Sequence, residues 1–254
     1  MKKNDWWKPN NLKNSEKNFV EQNDLGQLDA HNDFGSYKLM LALNDRAKSK
    51  ISSHNETTPS YRVKAIKKIL GDFDPQKIYD VGCGLGFTTN EISKEYPRAE
   101  VVGMDISDDA IAYGKKYFPD CQFFSEAVDP ENKKQVFPAD LICAFEFYPF
   151  TRTSNLSDQR LYLIHLTDNL TEEGKLVIFQ LWDNPESLSV NYEELVSSFP
   201  KLNFELHSMP IRQIGKFVRS PRFSNVISEI ARPIFRGITG RQLGRNKTLV
   251  ISKK

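Results

Sequence analysis

The sequence predicts an α/β fold built on a doubly wound, mostly parallel, seven-stranded sheet. From residue 61 onward, short apolar runs alternate with amphipathic segments, the order typical of a parallel sheet covered by helices on both faces. The runs are almost continuously apolar, as strands buried on both faces are. Three closely spaced glycines directly follow the first run, at the edge where such sheets bind ligands.

The predicted elements follow one another in this alternating order. Five strands are predicted first, at Lys77–Val81, Glu100–Asp105, Gln122–Ser125, Asp140–Phe147 and Lys175–Leu181. Helices are predicted around them, at 61–70, Phe87–Tyr96, Asp108–Tyr117, Ser157–Leu170 and Tyr192–Phe199. Two closing strands are predicted at Phe204–Met209 and Thr248–Ser252.

The pattern divides the chain into four segments. Residues 1–60 form a polar N-terminal cap segment with a helical pattern over Phe34–Ile51, and residues 61–209 form the α/β core. Residues 210–245 form a basic helical insert or lid, in which Pro233 is expected to end or bend a helix. Residues 246–254 supply the last strand of the core sheet.

Composition limits the class of protein. With 254 residues, 39% of them hydrophobic and 27% charged, the chain can bury a core and is not a disordered chain. We expect no secretory signal and no transmembrane segment, and therefore a cytoplasmic protein. The three cysteines are widely spaced, which favours buried, reduced thiols over disulfides or a metal pair, and no metal is expected.

Positive charge is concentrated near the end of the chain. Residues 201–254 carry 12 Lys and Arg against 2 Asp and Glu, whereas the whole chain carries 35 against 33. This asymmetry is consistent with an anionic partner or with a solvated arginine-rich surface.

The glycine series follows the first strand in the stretch IYDVGCGLGFTTN, residues 78–90. Glycines let a ligand lie against bare backbone at the start of a helix. The dinucleotide fingerprint GxGxxG would need a glycine where Phe87 stands, so the spacing disfavours a nicotinamide dehydrogenase.

The run Asp80-Val81-Gly82-Cys83-Gly84-Leu85-Gly86 resembles the first motif, (D/E)xGxGxG, of the class I S-adenosylmethionine (SAM)-dependent methyltransferases, a Rossmann-like family. The resemblance covers roughly Tyr61 to Leu181 and implies SAM as cofactor. It implies that the loop backbone at Gly82, Cys83, Gly84 and Gly86 faces the amino-acid part of SAM. Asp80 is then expected near the ammonium group, because a buried cation needs an acceptor.

The ends of the next strands extend the same resemblance. Asp105 is placed to accept the ribose hydroxyls, and Ile106 to pack on the adenine ring. Glu126 and Ala127 match the positions that meet the adenine amino group and a ring nitrogen. Phe145, at the end of the fourth strand, is expected where the site opens toward the methyl donor.

Methylation of an oxygen usually requires removal of a proton. His31 is one candidate base, because the segment before the core often contributes to the acceptor pocket in similar enzymes. Glu146 is a second candidate, with Tyr148 beside it, and the sequence leaves the choice open. A structural role is expected for His165, and His207 is expected in a late strand beside the sheet.

The acceptor is predicted from weaker signals. The stretch Glu146–Phe150 has one proline only, which counts against amide or exocyclic-amine methylation. Arginines of the insert suit a small anionic or polar acceptor methylated on oxygen, with a sugar or glycan precursor favoured and a lipid-linked form also considered. The alternatives are an RNA-directed methyltransferase and a non-catalytic SAM-binding partner subunit. No oligomeric state is predicted.

Overall fold

The computed structural model describes residues 57–132, 135–151, 153–182, 184–209, 226–234 and 246–254. The predicted helix Phe34–Ile51 and the candidate base His31 lie outside these residues. In chain order the elements are α1 (Thr57–Leu70), β1 (Lys77–Val81), α2 (Phe87–Glu95), β2 (Glu100–Asp105), α3 (Asp108–Tyr117), β3 (Gln122–Ser125), β4 (Ala139–Phe145), α4 (Leu156–Asp168), β5 (Leu170–Leu181), α5 (Tyr192–Ser198), β6 (Leu202–Ser208), α6 (226–234) and β7 (Asn246–Lys253).

The seven strands form one sheet in the order β3-β2-β1-β4-β5-β7-β6. Neighbours from β3 to β5 pair in parallel, whereas β7 runs antiparallel to both β5 and β6. The predicted doubly wound, mostly parallel sheet is therefore confirmed. Because β1 is followed by β2 on one side and flanked by β4 on the other, the strand order reverses at β1, where sheets of this type bind ligands.

Two apolar clusters lie on opposite faces of this sheet. On one face α4 packs Leu163 and Leu166 against Ile142 of β4, and on the other α1 packs Val63 and Ile66 against the neighbouring strand residues. Residues that adjoin in a strand point to opposite clusters, since side chains alternate across a sheet. This double coverage explains the continuously apolar strand sequences.

Most elements begin or end a few residues from their predicted bounds, and two of these differences have a local cause. β4 ends at Phe145 rather than at residue 147, because Glu146 turns the chain with a left-handed φ of 53°. β5 begins at Leu170, five residues before the predicted start. The acidic, glycine-containing stretch 171–174 resembles a turn, but it lies in the strand as an irregularity where the register with β4 shifts.

Helix α6 presents an unexpected face. The helical spacing of Phe223, Val226, Ile227, Ile230 and Ile234 predicts an apolar face. Phe223 lies outside the described residues, Val226, Ile230 and Ile234 are exposed, and Ile227 is half-buried. Ser228 and Arg232 are buried instead. Arg232 is held by Glu229, with Nε 3.1 Å from a carboxylate oxygen one turn away. The ion pair permits burial of the guanidinium, which would be costly alone.

Candidate functional site

The glycine loop joins β1 to α2 at the carboxyl edge of the sheet. Gly82, Gly84 and Gly86 all adopt positive φ, at 69°, 54° and 83°. A Cβ on Gly82 would lie 2.7 Å from the ring of Phe147, and one on Gly86 would lie 2.6 Å from the ring of Phe123. The protein's own packing therefore requires glycine at Gly82 and Gly86, apart from any close approach of a ligand.

Asp80 is the penultimate residue of β1, beneath this loop, and is 1% exposed. Its Oδ2 accepts a hydrogen bond of 2.7 Å from the Thr89 hydroxyl, whereas Oδ1 is buried with no hydrogen-bond partner. Burial, with a smaller contribution from the Asp105 charge, raises the pKa of Asp80 to about 7. A buried carboxylate with one unused oxygen suits a cationic ligand group, as an ammonium would supply.

Asp105 ends β2 beside the loop and joins two backbone segments. Its Oδ2 accepts from the Gly84 N–H at 2.9 Å, and its Oδ1 accepts from the Ser107 N–H at 2.9 Å, where α3 is about to begin. Each carboxylate oxygen has two lone pairs, so one backbone contact does not by itself saturate either oxygen. The predicted ribose contact stays a prediction that this geometry allows.

The residues predicted to meet an adenine ring lie on the open side of Asp105. Ile106 is 47% exposed, which is high for a large apolar side chain. Glu126 and Ala127 are also exposed, and the Glu126 N–H donates to the backbone carbonyl of Asp105 at 3.0 Å. The structure thus brings these three residues to one edge of the site with their side chains accessible.

At the end of β4, Glu146 forms an ion pair with Arg62 of α1, and the Arg62 guanidinium lies 4.6 Å from the centroid of the Phe179 ring. Phe145 is buried against Phe179, with ring centroids 6.0 Å apart, and belongs to the core on the α1 side. Sequence reasoning missed Arg62, because an arginine in an amphipathic helix carries no signal of the strand end it will contact.

The side chain of Tyr148 points toward α4. Its hydroxyl donates to Asp158 Oδ2 at 2.9 Å, and its ring packs edge-on against Tyr162. Burial and the Asp158 carboxylate raise the pKa of Tyr148 to about 12. The hydroxyl therefore stays protonated near neutral pH and is a hydrogen-bond donor in this arrangement.

The described histidines lie elsewhere. His165, near the end of α4, places Nε2 3.3 Å from Gln135 Oε1 and packs against the Phe137 ring. Burial lowers its pKa. His207 lies on β6, at the edge of the sheet, opposite Thr248. The predicted strand position of His207 is confirmed, and the structural role of His165 stays a prediction.

The fold and the site define the class of protein. A seven-stranded sheet whose last strand is antiparallel, a glycine loop after β1 and acids at the ends of β1 and β2 are together the arrangement of a class I SAM-dependent methyltransferase domain. SAM is the cofactor of that class, and the unused oxygen of Asp80 fits its ammonium group.

Comparison with known proteins supports the same class. Residues 79–176 match a family model described as a methyltransferase domain. The trans-aconitate 2-methyltransferase of Escherichia coli K12 is 31% identical over 117 residues, which cover 42% of this chain and 45% of the relative. The enzyme of the same name from Afipia carboxidovorans is 26% identical over 136 residues, 52% of this chain and 49% of the relative. The match spans about half the length of these relatives.

Solved structures extend the likeness to most of the chain. The plantazolicin methyltransferase BpumL in complex with S-adenosylhomocysteine (SAH) is 18% identical with a TM-score of 0.54, covering 94% of this chain and 100% of that one. A TehB-like SAM-dependent methyltransferase from Corynebacterium glutamicum is 18% identical with a TM-score of 0.50, covering 82% and 95%. At these identities the likeness concerns the fold alone.

Among the residues that the structure describes, no helix is long and apolar enough to cross a membrane. Within the same part of the chain, no three His, Cys, Asp or Glu side chains are grouped closely enough to hold a metal ion. Cys83, Cys121 and Cys143 are free and buried.

The raised pKa of Asp80 leads to a pH prediction. The folded pKa of about 7 exceeds the ordinary value of about 3.9, so without ligand the folded protein retains a proton between these values. Its free energy of unfolding therefore falls as the pH rises through that window. An ammonium ligand needs the ionised carboxylate, so the affinity for SAH is expected to rise on the order of tenfold between pH 5.5 and 7.5.

Calorimetric titration of SAH at several pH values measures this change. Asp80→Asn should bind SAH more weakly and with a flat pH dependence over the same range. If the variant keeps the slope of the wild-type protein, another group is responsible and the assignment of Asp80 to the ammonium group is wrong.

Proposed function

We propose that this protein transfers the methyl group of SAM to an oxygen of a small anionic acceptor. The observation that carries the proposal is the buried Asp80, whose Oδ1 has no partner, beside a glycine loop tied to Asp105. When bound, SAM supplies an electrophilic methyl group. Asp80 would hold its ammonium group, and Asp105 its ribose, while Ile106, Glu126 and Ala127 would border its adenine.

The anionic nature of the acceptor is supported by three observations. Arg62 places a guanidinium at the end of β4, beside the loop. The last fifth of the chain carries a large excess of arginine and lysine. The curated relatives are named for trans-aconitate, a small polyanion. A phosphorylated or nucleotide-linked sugar, favoured by the sequence, belongs to the same charge class.

An acceptor oxygen that is already ionised has no proton to lose, so the protein needs no general base for it. Glu146 stays the candidate base among the described residues, but its Oε1 is engaged by Arg62. It could accept a proton only after that contact is exchanged. An acceptor that is anionic at neutral pH, such as a carboxylate, needs no such step and suits the site better than an alcohol.

Transfer of a labelled methyl group tests the proposal. Purified protein is incubated with methyl-labelled SAM and either defined carboxylates or fractions of a cell extract, after calorimetry with SAH and NAD. We expect SAH but not NAD to bind, and label to enter a small anionic product. Label found only in RNA or protein would contradict the acceptor class, and SAH binding without any labelled product would favour a non-catalytic SAM-binding subunit.

A further inference from the structure

We propose that Arg62 is the acceptor-binding residue for a carboxylate, and that Glu146 occupies Arg62 as an internal carboxylate until the acceptor replaces it. The inference rests on the proposed methyltransferase function and names the acceptor subsite within it. The Arg62 guanidinium of α1 contacts the carboxylate of Glu146, the residue that directly follows β4. The ring of Phe179 lies beneath the same guanidinium.

The pair lies close to the start of the glycine loop. β4 pairs with β1, with Ala144 opposite Val81, so the residue after Phe145 lies next to the start of the glycine loop. The following residue, Phe147, covers Gly82 so closely that a Cβ there would lie 2.7 Å from its ring. Arg62 is thus placed beside the proposed cofactor site without belonging to the set that holds the cofactor.

The two partners are held differently. The Arg62 side chain is 18% exposed and rests on Phe179 with its guanidinium carbon 4.6 Å from the ring centroid. The Glu146 side chain is 52% exposed. The arginine is therefore fixed by packing and the glutamate is open to solvent. Ion pairs with an exposed member contribute little to stability, so exchange of one carboxylate for another costs little.

The backbone at Glu146 is in a conformation that side chains rarely adopt. Its φ of 53° is the only positive value among the described residues other than glycine. The Glu146 N–H donates to the Phe179 carbonyl at 2.9 Å, which fixes the turn to the same strand whose ring supports Arg62. Such conformations concentrate at functional sites. Here it directs a carboxylate toward the guanidinium.

The chemistry of the internal partner indicates the chemistry of the ligand. A guanidinium presents five N–H donors in a planar fork that matches a carboxylate. This guanidinium already engages the Glu146 carboxylate. A carboxylate of the acceptor would take the place of Glu146 and bind in the same geometry. The Glu146 side chain could then move into solvent, to which it is already half open.

The test measures carboxylate binding directly. Acetate, succinate, citrate and trans-aconitate are titrated into SAH-saturated protein by calorimetry, with inorganic phosphate as the competing anion. Arg62→Met, which keeps an apolar chain over Phe179, is expected to weaken carboxylate binding at least tenfold. Glu146→Gln, which removes the internal competitor, is expected to strengthen it about threefold to tenfold.

Arg98→Met is the matched control, because Arg98 pairs with Asp74 near the amino-terminal ends of β1 and β2. It should bind carboxylates within twofold of wild type, and all three variants should keep the wild-type affinity for SAH. No carboxylate binding by SAH-saturated wild-type protein, equal binding by Arg62→Met, weaker binding by Glu146→Gln or a preference for phosphate would each overturn the inference. Failure of the wild-type protein to bind SAH would instead contradict the proposed function.

Discussion

Replacing Gly86 with alanine is expected to lower the free energy of unfolding by about 2–4 kcal/mol. Two costs add together. The φ of 83° is a left-handed conformation that costs a side chain about 1 kcal/mol or more. The new Cβ would also lie 2.6 Å from the Phe123 ring, and overpacking of this kind costs about 1–3 kcal/mol.

Phe123 cannot move aside to relieve the contact. Its ring also lies 2.8 Å from the Cβ position of Gly103 and 2.9 Å from that of Gly114, so three glycines surround it. The ring is buried with Cys83 and Ile111 in a cluster between the loop and α3. Displacement of the ring would therefore shift the glycine loop, which is proposed to hold the cofactor.

Chemical denaturation of the two proteins measures the loss. Gly71→Ala is the matched control, since Gly71 has a φ of 63° but no atom within 4 Å of its Cβ position. The free energy of unfolding of Gly71→Ala should fall only by the conformational cost of the left-handed φ, about 1 kcal/mol. If both variants lose the same amount, the contact with Phe123 does not contribute and the packing argument is wrong.

Replacing Asp105 with alanine is expected to weaken SAH binding by about 1.5–3 kcal/mol, which is roughly 10-fold to 150-fold in the dissociation constant. Hydrogen bonds from hydroxyls to a carboxylate belong to this strong class. The substitution also removes the acceptor of the Gly84 and Ser107 N–H groups, both at 2.9 Å, and so loosens the loop that the ligand meets.

Calorimetry with SAH tests the ribose assignment. Asp109→Ala, which removes an exposed acid from the first turn of α3, is the control and should leave the affinity unchanged. Melting curves of each variant establish that it is folded at the temperature of the titration. An unchanged dissociation constant for a folded Asp105→Ala protein would rule out a contact between this carboxylate and the ligand.

The fold was predictable because its signals are local. Alternating apolar runs and amphipathic helices gave β1, β2, β3 and α3 with the bounds that the structure has. Apolar periodicity records only which faces are buried, and it fails where a polar residue is buried with a partner. Helix α6 is the example, since Arg232 is inside because Glu229 neutralises it. The start of β5 was missed because a turn-like composition is tolerated in an irregular strand.

The sequence by itself predicted the class of cofactor and the residues that we expect to hold it. An acid, three glycines and a second acid follow at neighbouring strand ends, and the carboxyl ends of parallel strands meet at one edge of the sheet. Only the tertiary structure showed the contact on which the proposed acceptor site rests. The contact of Arg62 with Glu146 joins residues 84 positions apart. The left-handed turn that directs the carboxylate is made by Glu146 itself, so no glycine in the sequence indicates it. The physical reason is that this pairing depends on how α1 packs across the sheet, which no short stretch of sequence encodes.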